Sequence, residues 1–412
     1  MTCRLDAAAL PPQPPRDAAP LPAPLDWIAD DLDALRAAGL ERPHRVRSGR
    51  QGREVDLDGQ ALLNFGSNDY LGLAGDVRLT KAASKAACAE GFGAGASPLV
   101  SGHSQAHELL ERALADLLAV DSALTFPSGF AANTATIAAL VGPDDVIASD
   151  ARNHASIIDG CRLSRGQVGI YPHRDMAALD ALLAQAGSAR RRLIVTDTVF
   201  SMDGTVAPLA DLCELARKHR AILMVDEAHA TGVFGVRGSG LVEETGCADG
   251  VHVRVGTLSK ALAAAGGFVA GHANMIHWLR HKARAWIFST AHPPAVAAAA
   301  TRAIALVAEE PYRRRELLSR ATGLRERLSQ AGIDVAGATT QIVPIVVGGA
   351  TDAVAVSTRL AEAGLFVPAI RPPSVPDGKS LVRVSLSWHH TADDVARLAG
   401  TITSILRNPA DS

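Results

Sequence analysis

From about residue 104 onward, the chain alternates between two hydrophobic patterns. One repeats apolar residues every third or fourth position, and the other is a short, unbroken apolar run. Ser104 can cap a helix whose stripe is Leu109, Leu110, Ala113, Leu114, Leu117 and Leu118. The unbroken runs at 122–126, 145–149, 193–199, 221–226, 252–256 and 267–271 predict strands buried on both faces, as in parallel sheets. Segments 176–186 and 209–219 carry the helical repeat. Strand and helix in alternation predict a doubly wound α/β domain with a mostly parallel sheet. After Pro293-Pro294 the pattern changes. Two long helical stretches, 295–309 and 313–331, precede strands near 341–348, 365–370 and 381–387, with helices near 352–363 and 392–406. This predicts a smaller C-terminal α+β domain. Upstream, Trp27, Ile28, Leu32 and Leu35 have helical spacing, and a polar, extended stretch follows. The expected organisation is a disordered Pro/Ala-rich tail at 1–24, an N-terminal helix and arm at 25–60, a large domain at 61–294 and a small one at 295–412.

Composition narrows the function classes. A chain of 412 residues exceeds one compact core. Its 48% hydrophobic and 20% charged residues suit a folded globular protein. Net charge is -2, and no basic stripe with interleaved aromatics occurs, which argues against nucleic acid as a partner. The five cysteines, Cys3, Cys88, Cys161, Cys213 and Cys247, form no CxxC pair. They read as free thiols of a reducing cytoplasm and imply no metal site. No apolar run reaches the roughly 18–20 residues that span a bilayer. The N-terminus lacks the apolar segment of a secretory signal. The chain is expected to be cytoplasmic and not a membrane protein.

Four segments carry candidate chemistry, each after an expected strand. Lys260 is one of six lysines. The other five stand among polar residues, whereas Lys260 follows a strand in Gly256-Thr257-Leu258-Ser259-Lys260, ahead of small residues from Ala263 to Gly267. Open α/β sheets hold ligands at the carboxyl ends of their strands. There, burial would depress the amine pKa and free it to form an imine. Asp226 ends an apolar strand in Val225-Asp226-Glu227-Ala228-His229. A carboxylate there needs a cation, such as a protonated pyridine, although an Asp capping a turn would read the same way. Ser128-Gly129-Phe130 opens an Ala-rich helix whose free N–H groups could hold phosphate, or could simply be capped. The segment contains neither GxGxxG nor a P-loop lysine, which disfavours a dinucleotide or ATP. His154, past the run at 145–149, could lie on a cofactor ring or be structural.

Together these segments resemble the α-oxoamine synthase family of fold-type-I pyridoxal-5′-phosphate (PLP) enzymes. The likeness runs from about residue 25 to 407. It rests on Ser67-Asn68-Asp69-Tyr70-Leu71-Gly72-Leu73, on Ser128 to Asn133, on Val199-Phe200-Ser201-Met202-Asp203-Gly204, on Val225 to His229, on Gly256 to Lys260, and on Ala369 to Pro376. The resemblance implies that Lys260 carries PLP and exchanges protons at the substrate α-carbon. It also implies that Asp226 pairs with the pyridine nitrogen, that His229 and Ser201 bond the phenolic oxygen, and that His154 stacks on the ring. Gly129, Phe130 and Thr257 are expected near the phosphate. Thr290 is expected to reach the phosphate of a neighbouring subunit in a homodimer with shared active sites. Arg383 would hold the amino-acid carboxylate, Arg42 and Ser374 would meet the acyl substrate, and Asn68 and His154 would also contact substrate. Ile370-Arg371-Pro372-Pro373 is similar to the branch that joins L-alanine to pimeloyl-CoA or a pimeloyl carrier protein with loss of CO₂. Sister branches taking another amino acid or acyl-CoA, an aminotransferase, and a protein that only binds PLP are the competing expectations.

Overall fold

The computed structural model describes residues 23–187 and 189–408, so most of the Pro/Ala-rich tail lies outside the described residues. Contacts group the chain into two units, one ending at His44 and the other starting at Arg45. In the first, a 3-10 turn at Ala23–Leu25 leads into α1 (Trp27–Ala37), with Asp26 accepting a hydrogen bond from the Trp27 N–H. None of the residues of α1 is buried, and Trp27 is 57% exposed.

The second unit holds three sheets. Strands β1 (Arg47–Ser48), β2 (Glu54–Leu57) and β3 (Gln60–Asn64) form an antiparallel meander. The central sheet comprises β4 (Ser122–Phe126), β5 (Val146–Asp150), β6 (Gln167–Tyr171), β7 (Arg192–Asp197), β8 (Ile222–Asp226), β9 (Val253–Thr257) and β10 (Gly267–Gly271). Their order is β4-β10-β9-β8-β7-β5-β6, and β10 alone runs antiparallel to its neighbours. The remaining strands are β11 (Ile342–Gly348), β12 (Leu365–Phe366), β13 (Ala369–Ile370) and β14 (Ser380–Ser385). Strands β11, β14 and β13 make a small antiparallel sheet, while β12 pairs parallel with β3.

The continuous apolar runs have the expected cause. Successive side chains point to opposite faces of a strand, and here both faces are covered. Leu193, Val195 and Met224 enter one core with Leu124, Phe126 and Val255, whereas Ile194, Leu223 and Val225 enter the other with Phe268 and Ala270. Strand β6 was not expected. It lies on the sheet edge with only Tyr171 buried, so it has no apolar run to reveal it. The single strand expected over 365–370 is divided into β12 and β13, with Val367-Pro368 between them. Proline has no N–H for a ladder, and the Pro368 carbonyl instead accepts from the Arg383 N–H. Helix α2 (Val77–Glu90), with Leu79 as its one buried residue, was likewise unexpected; α3 (Gln105–Leu118) begins at Ser104, which caps it. Helix α4 (Gly129–Leu140) follows β4, and α5 (Ala155–Ser164) follows β5. The carboxyl ends of β5, β7, β8 and β9 therefore face one rim, where an open α/β sheet binds its ligands.

Candidate active site

The first wall of the rim is a turn. Strand β4 ends at Phe126, and the Ser128 hydroxyl accepts from the Ala131 N–H at 3.0 Å, starting α4. A Cβ on Gly129 would stand 3.4 Å from Thr257 Cβ, and one on Gly267 only 2.5 Å from the Gly129 nitrogen. Backbone is thus packed on backbone. The N–H groups of Gly129 and Phe130 belong to the first helical turn, which has no intrahelical acceptors and attracts anions. The Thr257 hydroxyl lies 2.7 Å from that of Ser259 and donates to the Gly266 carbonyl at 2.9 Å.

Lys260 follows β9 and is half-buried, with Nζ 3.0 Å from His229 Nε2. Burial pushes its amine down to about 8, against the opposing pull of Asp226 and Asp197. His229 is held well below its usual range by burial first and then by the charges of Lys260 and Arg383, so its imidazole is neutral. Its Nδ1 lies 2.6 Å from the hydroxyl of fully buried Tyr70, and its carbonyl accepts from Gln341 Nε2 at 2.8 Å.

Asp226 ends β8 and is 5% exposed. Its Oδ2 accepts from Asn133 Nδ2 at 2.6 Å and its Oδ1 from the Ala228 N–H at 2.8 Å. Asn133 also donates to Ser156 Oγ at 2.9 Å, which in turn lies 2.7 Å from His154 Nδ1. Asp226 and His154 are therefore tied through two intermediaries. The His154 N–H donates at 2.7 Å to Asp197, the residue opposite Asp226 on β7. Burial, and then the charge of Asp226, push the Asp197 carboxyl well above the usual range. Burial pushes His154 below its usual range.

Arg383, on β14, crosses to the rim. Its Nε donates to the Ser201 carbonyl at 2.6 Å, and its two terminal nitrogens lie 3.2 and 3.3 Å from Asn68 Oδ1. Tyr70 also donates to Asn68 Oδ1, at 3.2 Å. One hydrogen-bonded cluster thus joins Lys260, His229, Asn68, Arg383 and Ser201, and a second joins Asp226 and His154. Thr290 and Ser374 are exposed and stand outside both, while Arg42 belongs to the unit that ends at His44. Sequence reasoning did not single out Tyr70, Asn133, Asp197 or Gln341. Asp197 lies inside the run expected at 193–199, and only the structure shows that its strand ends there, as β8 ends at Asp226.

Residues 60–402 match the family model described as aminotransferase class I and II. A curated 8-amino-7-oxononanoate synthase of Citrifermentans bemidjiense is 48% identical over 383 residues, covering 92% of this chain and 98% of that one. The chain belongs to the 8-amino-7-oxononanoate synthase family. It is a PLP-dependent acyltransferase of the α-oxoamine synthase group, with the fold-type-I architecture. A serine palmitoyltransferase solved with PLP superposes with TM-score 0.88 at 29% identity, over 93% of this chain and 98% of that one. An 8-amino-7-oxononanoate synthase structure from Francisella tularensis gives 0.73 at 26%, over 84% and 98%.

The family's cofactor can be tested against the residues present. PLP needs an amine to carry it, an anion for its pyridine nitrogen and N–H donors for its phosphate. The rim offers a lysine with a depressed pKa, a buried Asp226 and, at Gly129, the first turn of a helix capped by Ser128. The fit is complete in donor chemistry.

Proposed function

We propose that this chain condenses L-alanine with a pimeloyl thioester, either pimeloyl-CoA or a pimeloyl carrier protein. The products are CO₂, free thiol and 8-amino-7-oxononanoate, in biotin synthesis. The observation that carries the reading is Lys260 poised 3.0 Å from a neutral His229, in a chain 48% identical to a curated 8-amino-7-oxononanoate synthase.

Bound PLP supplies the sink for charge that develops at the amino acid's α-carbon. Lys260 takes the α-proton. Burial, which pushes the amine down to about 8, suits it to act as a base, and the ammonium formed can return a proton once CO₂ has left. Arg383 grips the alanine carboxylate with its two terminal nitrogens, and the Ser201 carbonyl on Nε fixes the plane of the fork. Asp226 holds the negative charge that keeps the pyridine nitrogen protonated, steadied by Asn133 and the Ala228 N–H. His229 orients the phenolic oxygen together with Ser201, and His154 covers the ring face. Gly129, Phe130 and Thr257 hold the phosphate, and Asn68 meets the amino acid. Arg42 and Ser374 meet the acyl chain. Thr290 serves the phosphate of a second subunit, which makes the working form a homodimer. Among the described residues no helix is long and apolar enough to cross a membrane. The cytoplasm is the compartment that suits the unpaired thiols.

A sister reaction with serine and a longer acyl thioester is favoured by the TM-score of 0.88 with serine palmitoyltransferase, against 0.73 for the Francisella enzyme. Identity of 29% on that side and 48% on the other favours the pimeloyl reading. The test is product mass spectrometry with free-thiol release across a panel of amino acids and acyl-CoAs. Alanine with pimeloyl-CoA should give the fastest release. Faster release with serine and palmitoyl-CoA would overturn the reading.

A further inference from the structure

His229 has two ring nitrogens, and both are engaged. Nε2 faces Lys260 at 3.0 Å and Nδ1 faces the Tyr70 hydroxyl at 2.6 Å. A neutral imidazole has one donor and one acceptor nitrogen, so its two neighbours jointly select the tautomer. Burial keeps the Tyr70 phenol protonated, and a phenol can give or receive a hydrogen bond. Its oxygen also reaches Asn68 Oδ1 at 3.2 Å, the atom that both terminal nitrogens of Arg383 approach.

These contacts have a consistent direction. A charged Lys260 donates to Nε2, which must then present its lone pair. The His229 proton sits on Nδ1 and is given to the Tyr70 oxygen. The Tyr70 hydrogen turns to Asn68 Oδ1. When Lys260 becomes neutral, its lone pair can accept from Nε2–H, and the Tyr70 hydroxyl turns round to donate to Nδ1. No heavy atom need move in either state.

We propose that Tyr70 is a positioning residue that decides which nitrogen of His229 carries its proton, and thereby whether Lys260 meets an acceptor or a donor. Replacing Tyr70 with Phe removes the oxygen and keeps the ring. The Nδ1–H tautomer then buries a donor with no acceptor, which is costlier than an idle lone pair. His229 shifts to Nε2–H, which opposes the ammonium N–H of Lys260, so the Lys260 midpoint falls. The other charged groups acting on Lys260 and His229 are Asp226, Asp197, Arg383 and His154; the substitution removes a hydrogen-bond partner of Arg383 and leaves the contacts of the other three as they are.

The inference rests on Lys260 being the reaction's base. The test uses the full-length chain, first without cofactor and then loaded. Nitrogen-15 NMR of the imidazoles should place the His229 proton on Nδ1 in the cofactor-free wild type at neutral pH. Acylation of Lys260 followed by peptide mass spectrometry gives its midpoint. In Tyr70→Phe that midpoint should fall by about one pH unit, a tenfold loss of proton affinity. In the loaded chain the pH midpoint of the cofactor's visible absorbance should move in the same direction. Asn68→Ala, which removes the far acceptor and with it a contact of Arg383, should give a smaller fall of the same sign and decides the matter if Tyr70→Phe does not fold. A wild-type His229 proton on Nε2, or midpoints unchanged in the folded variants, would overturn the proposal. Those results beside normal thiol release from alanine and pimeloyl-CoA would count against Tyr70 alone. Absent thiol release beside shifted midpoints would count against the proposed reaction alone.

Discussion

Asp226→Asn separates charge from shape at the centre of the site. The carboxylate is 5% exposed and accepts from Asn133 at 2.6 Å and from the Ala228 N–H at 2.8 Å. An asparagine has one oxygen for these two donors, so one of them faces an amide NH₂. Leaving a buried donor unmet costs about 1–3 kcal/mol of stability. The larger effect is on catalysis. Removing one partner of a buried ion pair costs on the order of 3–5 kcal/mol, or roughly two to three and a half orders of magnitude in rate. A neighbour limits the loss. Asp197 lies opposite Asp226 in the sheet, and the charge of Asp226 helps to push its carboxyl up. Once that charge is gone, Asp197 ionises more readily one strand away. The single variant should therefore lie near the small end of the range, and Asp197→Asn with Asp226→Asn near the large end. The assay is exchange of the alanine α-proton in D₂O followed by proton NMR, alongside thiol release. Exchange in Asp226→Asn within tenfold of wild type, or a double variant no slower than the single, would refute the reasoning.

Three further outcomes are expected. Borohydride should fix the cofactor's mass on the peptide that contains Lys260, and Lys260→Ala should abolish turnover; fixation elsewhere would reassign the carrier. Arg383→Ala should raise the alanine KM by at least about tenfold, since a charge-assisted hydrogen bond contributes roughly 1.5–3 kcal/mol, while a bleached cofactor spectrum would contradict its assignment to substrate. The third concerns Arg53, which binds Asp394 through two bonds of 2.7 Å. Burial pushes the Asp394 carboxyl up, but Arg53 and Thr391 outweigh it and take it down to about 2. A depressed carboxyl stabilises the fold above its unfolded pKa of about 4, and the contribution disappears as pH falls through about 2. Discounted for the exposure of Arg53, it is worth about 1–2 kcal/mol. Urea midpoints of wild type and Asp394→Asn should differ at pH 7, draw together as pH falls below about 4 and converge below about pH 2; a gap that did not narrow would be incompatible with this origin.

Central strands and their order of appearance were legible because strands covered on both faces have no polar positions to blur their runs. The edge strand Gln167–Tyr171 and helix Val77–Glu90 each bury a single residue, so neither left a hydrophobic pattern. At the site, local context marked Lys260 and Asp226 as candidates, the first shortly after an apolar strand and the second ending one, and only their conjunction with the other segments set them apart from ordinary turn residues. Tyr70 and Asn133 could not. Tyr70 meets His229 across 159 positions and Asn133 meets Asp226 across 93, so their use exists only once the sheet has assembled. Asp197 sits within the run expected at 193–199, so the rule of a carboxylate ending a strand did not reach it.

The contact between Gly267 and the Ser128-Gly129 turn bears on how the sequence can change. A methyl group at position 267 would collide with the Gly129 nitrogen and the Ser128 carbonyl, both at 2.5 Å. The obstacle is main chain, so no second substitution can make room, as a smaller side chain would in an ordinary core. Selection acting on variants of this chain would find position 267 closed in every genetic background, although Gly267 touches no reacting atom. A laboratory search for altered acyl preference would do better to leave this strand fixed and vary exposed positions such as Ser374.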